Sequence, residues 1–170
     1  MLKICIYILI FFIIPLHAYE SENKLKVVIV GKVAKYVTYN NNNFDTFRIT
    51  ILRNPFGELF DDVYKDKKIK SKPVRIKYID EISELESTDI LYIPKVNTVE
   101  LSHILKETQN KNILTISDTR GFAQRGGIIQ LYFVSQKLKL KINTNSAQLQ
   151  DIKIKPTLLR IADVVKGNKT

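Results

Sequence analysis

Apolar residues in the segment 26–39 recur at steps of three and four, which is the spacing of one face of a helix. They fall on one arc of the helix, while Gly31, Lys32 and Lys35 fall on the opposite side. The pattern predicts an amphipathic helix over this segment, followed by a loop at the asparagine run 40–43. The apolar positions are Val27, Val30, Val33, Ala34 and Val37.

Shorter segments downstream predict β-strands, because they alternate apolar with polar residues or form brief apolar runs rich in β-branched residues. The run 90–93 is apolar throughout, as in a central strand covered on both faces. Beyond the first strands, segments 128–134 and 137–142 predict a β-hairpin whose second arm alternates lysine with apolar residues. The strands before this hairpin are predicted at 47–52, 74–79, 90–93 and 113–116.

Helices are predicted between these strands and at the end of the chain. Asn54 followed by Pro55 is typical of an N-cap with proline at the first helical position, and Thr98 can cap a later helix. A last helix is predicted after Pro156, reaching Val165. The alternation of helix and strand indicates the α/β class: a layered, largely parallel sheet with a C-terminal antiparallel hairpin and helices on both faces.

The first 18 residues have the pattern of a secretory signal peptide. Lys3 gives a basic start, an apolar run extends from Ile4 to Pro15, and the small residue Ala18 precedes a polar stretch. The apolar run is shorter than the ~20 residues that a membrane span needs. We therefore expect cleavage after Ala18, export to the periplasm, and a single domain over residues 19–170; an uncleaved membrane anchor is the alternative.

Composition narrows the chemistry further. The 170-residue chain has a formal net charge of +10, from 27 Lys and Arg against 17 Asp and Glu. The lysines are spread along the whole chain, which disfavours a nucleic-acid binder with its clustered basic and aromatic residues. Signal cleavage would remove Cys5 and His17, leaving no cysteine and only His103. Thiol catalysis and cysteine- or multi-histidine metal sites are then excluded, so no metal and no cofactor is predicted.

The most distinctive stretch is 118–127, where three glycines and two arginines follow an apolar strand. Glycine exposes backbone N–H groups and arginine binds phosphate or carboxylate, so the stretch can hold an anion. The same glycines can instead form a turn that leads into the hairpin, and the Lys-Ser/Thr pair of a phosphate-binding P-loop is missing.

Other titratable residues do not assemble into a recognisable catalytic set. His103 has no partner in the sequence pattern, and acidic pairs such as Asp61-Asp62 and Asp80-Glu81 are typical of solvated surfaces. No nucleophile elbow of the Gly-x-Ser-x-Gly type surrounds Ser117. The sequence therefore predicts that the protein is not an enzyme, with an uncharacterised hydrolase as the weakest alternative.

Several segments resemble the YfiR family of exported bacterial regulatory proteins. The central match is the Gly-Phe-Ala-x-x-Gly-Gly pattern at 121–127. Two features depart from the family: some relatives carry cysteine pairs that are absent here, and the opening helix often ends in Trp-Pro where this chain has Tyr39-Asn40. The further matching segments, in the family's order, are 33–37, 90–93, 113–118, 141–143 and 155–162.

The resemblance implies a periplasmic protein without catalytic activity that binds, and restrains, the periplasmic sensor domain of an inner-membrane signalling enzyme. The implied partner is a diguanylate cyclase, which makes cyclic-di-GMP, or a histidine kinase. Membrane contact would occur only through that partner, no nucleic acid is implied, and a homodimer stays open. The alternative hypothesis is a periplasmic protein that binds a small anion or a nucleotide. The candidate binding residues are Asp118, Arg120, Gly121, Phe122, Arg125, Gly126, Gly127 and Arg160.

Overall fold

The computed structural model describes residues 14–39 and 44–166, with side chains described from residue 22 onward, so most of the predicted signal peptide lies outside it. Within these residues no helix is long and apolar enough to cross a membrane. The helices are α1 (Ile14–Ala34), α2 (Leu59–Tyr64), α3 (Thr98–Glu107), α4 (Thr144–Leu149) and α5 (Pro156–Leu159). The strands are β1 (Val37–Tyr39), β2 (Phe47–Leu52), β3 (Lys68–Ile69), β4 (Lys72–Ile79), β5 (Ile90–Ile93), β6 (Leu114–Ser117), β7 (Ile129–Val134), β8 (Lys137–Asn143), β9 (Ile152–Ile154) and β10 (Asp163–Val165).

Eight strands form one sheet in the order β10-β8-β7-β6-β5-β2-β4-β3. Its five central neighbours, β4, β2, β5, β6 and β7, run parallel, and β8 pairs antiparallel with β7 to form the hairpin. The chain goes from β2 to β4 on one side and then to β5 on the other, as in doubly wound sheets. The predicted α/β class, with its largely parallel sheet and C-terminal hairpin, is confirmed.

Apolar side chains cover both faces of this sheet. Alternation along β5 directs Ile90 and Tyr92 into a larger core beneath α1 and α2. It directs Leu91 and Ile93 into a smaller core, where they pack with residues of α3 such as Leu101. A strand buried on both faces has no solvent side, which explains why the run 90–93 is apolar throughout.

A second sheet of two strands joins the region after α1 to the C-terminal part of the chain. β1 pairs antiparallel with β9, so Val37 lies opposite Ile154, and the Lys155 N–H donates to the Tyr36 carbonyl at 2.8 Å. The predicted helix over 26–39 is therefore correct as far as Ala34 and wrong beyond it. Pairing with a strand more than 100 residues away in sequence overrides the local helical spacing.

Two other predicted helix starts are displaced. The Asn54 Oδ1 accepts the Phe56 N–H at 3.1 Å, so this asparagine closes a turn and α2 begins only at Leu59. The N-cap of α3 is Asn97, and Thr98 is the first helical residue rather than the cap. Asparagine supplies the oxygen that binds a free N–H in both places, with different backbone conformations around it.

The predicted last helix after Pro156 is also shorter than expected. Helix α5 ends at Leu159, and the chain then extends into β10, which pairs parallel with β8. Val164 lies beside Ile142 in this ladder. The β-branched end of the segment therefore adds a strand at the outer side of the hairpin, which spacing along one segment cannot show.

Helix α1 is fastened to α2 through a tyrosine that interrupts its backbone hydrogen bonds. The Tyr64 hydroxyl accepts the Gly31 N–H and donates to the Val27 carbonyl, both at 2.7 Å. These two backbone groups would bond each other in a regular helix, so the hydroxyl stands in the gap between them. Burial raises the pKa of Tyr64 to about 12. A Cβ on residue 31 would lie 2.4 Å from this oxygen, so only glycine fits there.

We predict that Gly31→Ala lowers the free energy of unfolding by about 2 kcal/mol, because the added methyl group overlaps Tyr64. In a Tyr64→Leu background the ring is gone, and the same substitution should be neutral or stabilising by up to about 1 kcal/mol through helix propensity. Urea unfolding of the four proteins measures this coupling. An equal loss in both backgrounds would contradict the proposed packing.

Candidate functional site

The glycine-rich segment 118–127 connects β6 to β7 across the face of the sheet that carries α3. It starts with Asp118 directly after β6 and passes through a 3-10 turn at Ala123–Arg125. It returns to the level of Thr115, whose Oγ1 accepts the Ile128 N–H at 3.1 Å. The segment therefore replaces the helix that usually connects two parallel strands.

The centre of this segment is the contact between Phe122 and Gly127. Phe122 is fully buried in the smaller core, beneath α3. A Cβ on residue 127 would lie 2.1 Å from the Phe122 ring, and the Gly127 N–H donates to the Phe122 carbonyl at 3.0 Å. Gly121 and Gly126 have positive φ angles of 78° and 104°, which glycine adopts without strain. All three glycines thus have a conformational or packing reason.

Several backbone amides of the segment donate hydrogen bonds within the fold. The Phe122 N–H donates to the Thr119 carbonyl at 3.1 Å, and the Arg125 N–H donates to the carbonyls of Gly121 and Phe122. On the carbonyl side, the Asn143 Nδ2 donates to Ala123 at 2.7 Å. An anion site formed by exposed N–H groups of residues 122, 125 and 127 is therefore not present in this arrangement.

Asp118 forms an ion pair with a lysine of the first helix. Its Oδ2 lies 2.7 Å from the Nζ of Lys26, and both side chains are about nine-tenths buried. The pair joins α1 to the end of β6, across 92 positions of sequence. Asp118 is thus positioned to hold two distant parts of the fold together, and its carboxylate does not point at the arginines of the segment.

The three candidate arginines lie in different surroundings. Arg120 and Arg125 are exposed on the segment, and the Arg125 Nη1 donates to the Arg120 carbonyl at 3.2 Å. Arg160 is exposed at the end of α5, and among the described residues none forms a side-chain hydrogen bond or ion pair with it. The predicted site residues therefore do not converge on one point.

A cavity of about 530 Å³ opens next to Arg125 and Gly126. The C-terminal turn of α3, the start of β6 and helix α4 form its walls. Its polar floor is fixed: the Asn143 Oδ1 accepts the Ser146 N–H, and the Gln150 Nε2 donates to the Thr108 carbonyl at 2.8 Å. The lining residues are Leu105, Thr108, Gln109, Asn110, Thr115, Arg125, Gly126, Ile128, Asn143, Asn145, Ser146, Leu149 and Gln150.

The other place where doubly wound sheets bind ligands is the crevice between the strands at which the chain order reverses, here β2 and β5. Arg53 follows β2 and forms an ion pair of 2.5 Å with Glu100 in the first turn of α3. His103 lines the same open depression and is exposed. The ion pair satisfies the charges at this crevice, which leaves a shallow surface.

At the opposite ends of these strands lies a buried carboxylate. The Asp89 Oδ2 accepts the Arg48 N–H at 2.7 Å, tying the start of β5 to β2. Burial raises the pKa of Asp89, while this hydrogen bond and the charges of Arg48, Lys72 and Lys70 oppose the increase. The Asp89 carboxylate therefore connects two strands. In the described part of the chain no cluster of three or more His, Cys, Asp or Glu could hold a metal.

Comparison with known proteins places the whole arrangement in a family. The model of the YfiR/HmsC-like family matches residues 23–163, which is most of the chain. The chain belongs to the YfiR/HmsC-like family. This confirms the resemblance seen in the sequence, and the family is known for periplasmic regulators of diguanylate cyclases. No curated protein sequence matches the chain.

This YfiR/HmsC-like chain resembles two solved structures in fold alone. A conserved domain protein of Vibrio cholerae O1 biovar El Tor aligns with a TM-score of 0.59 and 14% identity, over 85% of this chain and 60% of that one. The ABC domain of a Streptococcus pneumoniae protein in complex with L-Trp aligns with a TM-score of 0.54 and 14% identity, over 79% of this chain and 58% of that one. The chain thus spans about three fifths of the length of each.

Sequence reasoning missed the walls of the cavity. Asn145 lies in α4, and Asn110 and Gln150 are neutral amides in the turns after α3 and α4. Leu149 is an exposed leucine of a helix that was not predicted. Neutral amides at irregular spacing form no motif. The one usable signal was Asn143, an N-cap residue directly after the lysine-alternating strand.

We predict that Gly127→Ala lowers the free energy of unfolding by about 2 kcal/mol or more, because the new methyl group overlaps the buried Phe122 ring. Arg120→Ala, on the exposed side of the same segment, is the matched control and should change stability by less than about 0.5 kcal/mol. Thermal and urea unfolding compare the two variants. Equal stability of Gly127→Ala and the unchanged protein would refute the packing role of this glycine.

We also predict that Asp118→Leu destabilises the protein by about 2–3 kcal/mol, since it leaves the buried Lys26 ammonium unpaired. Adding Lys26→Met should recover most of that loss, because an apolar pair avoids the desolvation of both charges. The double-mutant cycle is measured by urea unfolding. Losses that simply add would show that the two side chains do not interact.

Proposed function

We propose that this YfiR/HmsC-like protein is a periplasmic regulator that binds and restrains the sensor domain of an inner-membrane signalling enzyme. The single observation that carries the proposal is the family match over residues 23–163. A diguanylate cyclase is the favoured partner and a histidine kinase the second. Docking favours one conformation of the sensor through its higher affinity for that state, so regulation needs no catalytic group in this protein.

The outer strand β10 supports such docking with a free edge. It pairs with β8 on one side only, and within residues 14–39 and 44–166 no strand pairs with the other. Val164 on this strand and Ile161 before it are exposed apolar residues. An exposed strand edge binds an extended segment of a partner through backbone hydrogen bonds, and apolar side chains add affinity.

Charge indicates the chemistry of the partner surface. Lys137 and Lys139 are exposed on β8, the strand next to β10. The Asp163 carboxylate accepts the Tyr132 hydroxyl, and among the described residues it forms no ion pair with these lysines. The surface therefore suits an acidic sensor domain, and electrostatic attraction would make association faster at low salt.

Capture from membranes and enzyme output test this function together. The tagged protein should recover a membrane signalling enzyme, and deletion of the gene should raise cyclic-di-GMP, with restoration on complementation. Val164→Asp should abolish both capture and restoration, because it removes an apolar contact at the docking edge and repels an acidic partner. Val99→Asp changes a more exposed valine, on α3, and should preserve both. Unchanged cyclic-di-GMP on deletion, with no signalling enzyme captured, would contradict the proposal.

A further inference from the structure

The cavity next to Arg125 has an unusual balance of charge. Among its 13 lining residues Arg125 is the only charged one, and the others are amides, hydroxyl residues, glycine and aliphatic residues. No acidic side chain lines it. A cavity with one cation and no carboxylate presents a net positive potential to whatever enters it.

Most hydrogen-bond donors of the Arg125 guanidinium have no partner among the described residues. One of its N–H groups donates to the Arg120 carbonyl, and in the described part of the chain no carboxylate forms an ion pair with it. Guanidinium has five N–H donors in a planar fork. The remaining donors can bind two oxygens of one carboxylate or phosphate side by side.

Other polar groups of the cavity divide into a fixed floor and a free rim. Thr115, Asn143 and Gln150 already bond to backbone groups and hold β6, β7, α3 and α4 together. The side chains of Asn110 and Asn145 are exposed at the rim. A ligand therefore enters a preformed space and meets free amides without having to break the internal hydrogen bonds.

Apolar surface completes the site. Leu149 lines the cavity and yet is 75% exposed, which leaves a leucine side chain without a cover on the surface of the described chain. Leu105 and Ile128 lie deeper in the same wall. A volume of about 530 Å³ falls in the range of small-molecule sites, large enough for a body as well as an anionic group.

We propose that this cavity binds a small organic anion, with one carboxylate or phosphate held by Arg125. The body of the ligand contacts Leu149 and the rim amides, and its size lies between an amino acid and a mononucleotide. The site is separate from the docking edge at β10, so this proposal does not rest on the proposed function. Its anionic group is the shared chemistry, and the experiment below distinguishes carboxylate from phosphate.

The test uses paired probes that differ by one charge. Hippurate is compared with its neutral amide, and AMP with adenosine, by NMR and calorimetric titration of the protein lacking residues 1–18 and, as a check, of the full chain. We expect at least one anion to bind at about 1 mM or tighter and its neutral counterpart to bind at least tenfold more weakly. Tighter binding of hippurate would identify a carboxylate site, and tighter binding of AMP a phosphate site.

Variants assign the binding to this cavity. Arg125→Gln should weaken the anion at least tenfold, whereas Arg120→Gln, an exposed arginine outside the lining, should leave it unchanged. Asn145→Trp keeps the charge and fills the cavity, so it should abolish binding even if Arg125→Gln alters the loop. The proposal is overturned if no probe binds at about 1 mM, if neutral and anionic probes bind equally, or if both arginine variants behave alike.

Discussion

The contact between the Phe122 ring and the bare backbone of Gly127 determines the geometry of the whole second half of the fold. The ring fills the core beneath α3, and the absence of a side chain at 127 lets the chain turn back onto it. The turn directs the Ala123 carbonyl to Asn143, which ends β8 and caps α4. The entry into β7, the bond that holds the start of α4 and the cavity beside Arg125 depend on this close approach.

Asn143 also connects the cavity to the strand that offers the docking edge. Its side chain lines the cavity, and its position in β8 is paired with Val165 of the edge strand β10. A ligand in the cavity would contact Asn143, and a partner strand on the free edge of β10 would lie one strand beyond it. Such a residue gives a short physical route by which an anion could change the affinity for a partner, provided that the two bound states differ in its position.

Sequence patterns correctly predicted the strands and helices that are determined by residues close together in the sequence. The strand 47–52 and the hairpin with its turn at Ser135-Gln136 occur as the alternation indicated. Elements set by distant partners were missed: β1 forms because β9 lies beside it, and β10 forms because β8 offers an edge. The helical spacing in 26–39 and the proline at 156 correctly predicted helices. Both helices end earlier than predicted because the residues that follow pair with strands.

The candidate site shows the same division. The sequence singled out the segment 118–127, and the turn that it gave as one of two interpretations explains the three glycines. Composition could not show that Asp118 is paired with Lys26, or that Arg125 borders a cavity and Arg160 lies apart. Those facts depend on how separate elements are stacked, and no spacing within one segment encodes them.

The segment 118–127 is a fixed turn of the fold, with the side chains of Arg120, Gln124 and Arg125 exposed. Hydrogen exchange of its backbone amides tests that claim directly. The account predicts slow exchange at Phe122, Arg125 and Gly127, whose N–H groups are bonded within the chain, comparable with the amides of β7. Exchange at the rate of an unprotected loop at these three positions would contradict it.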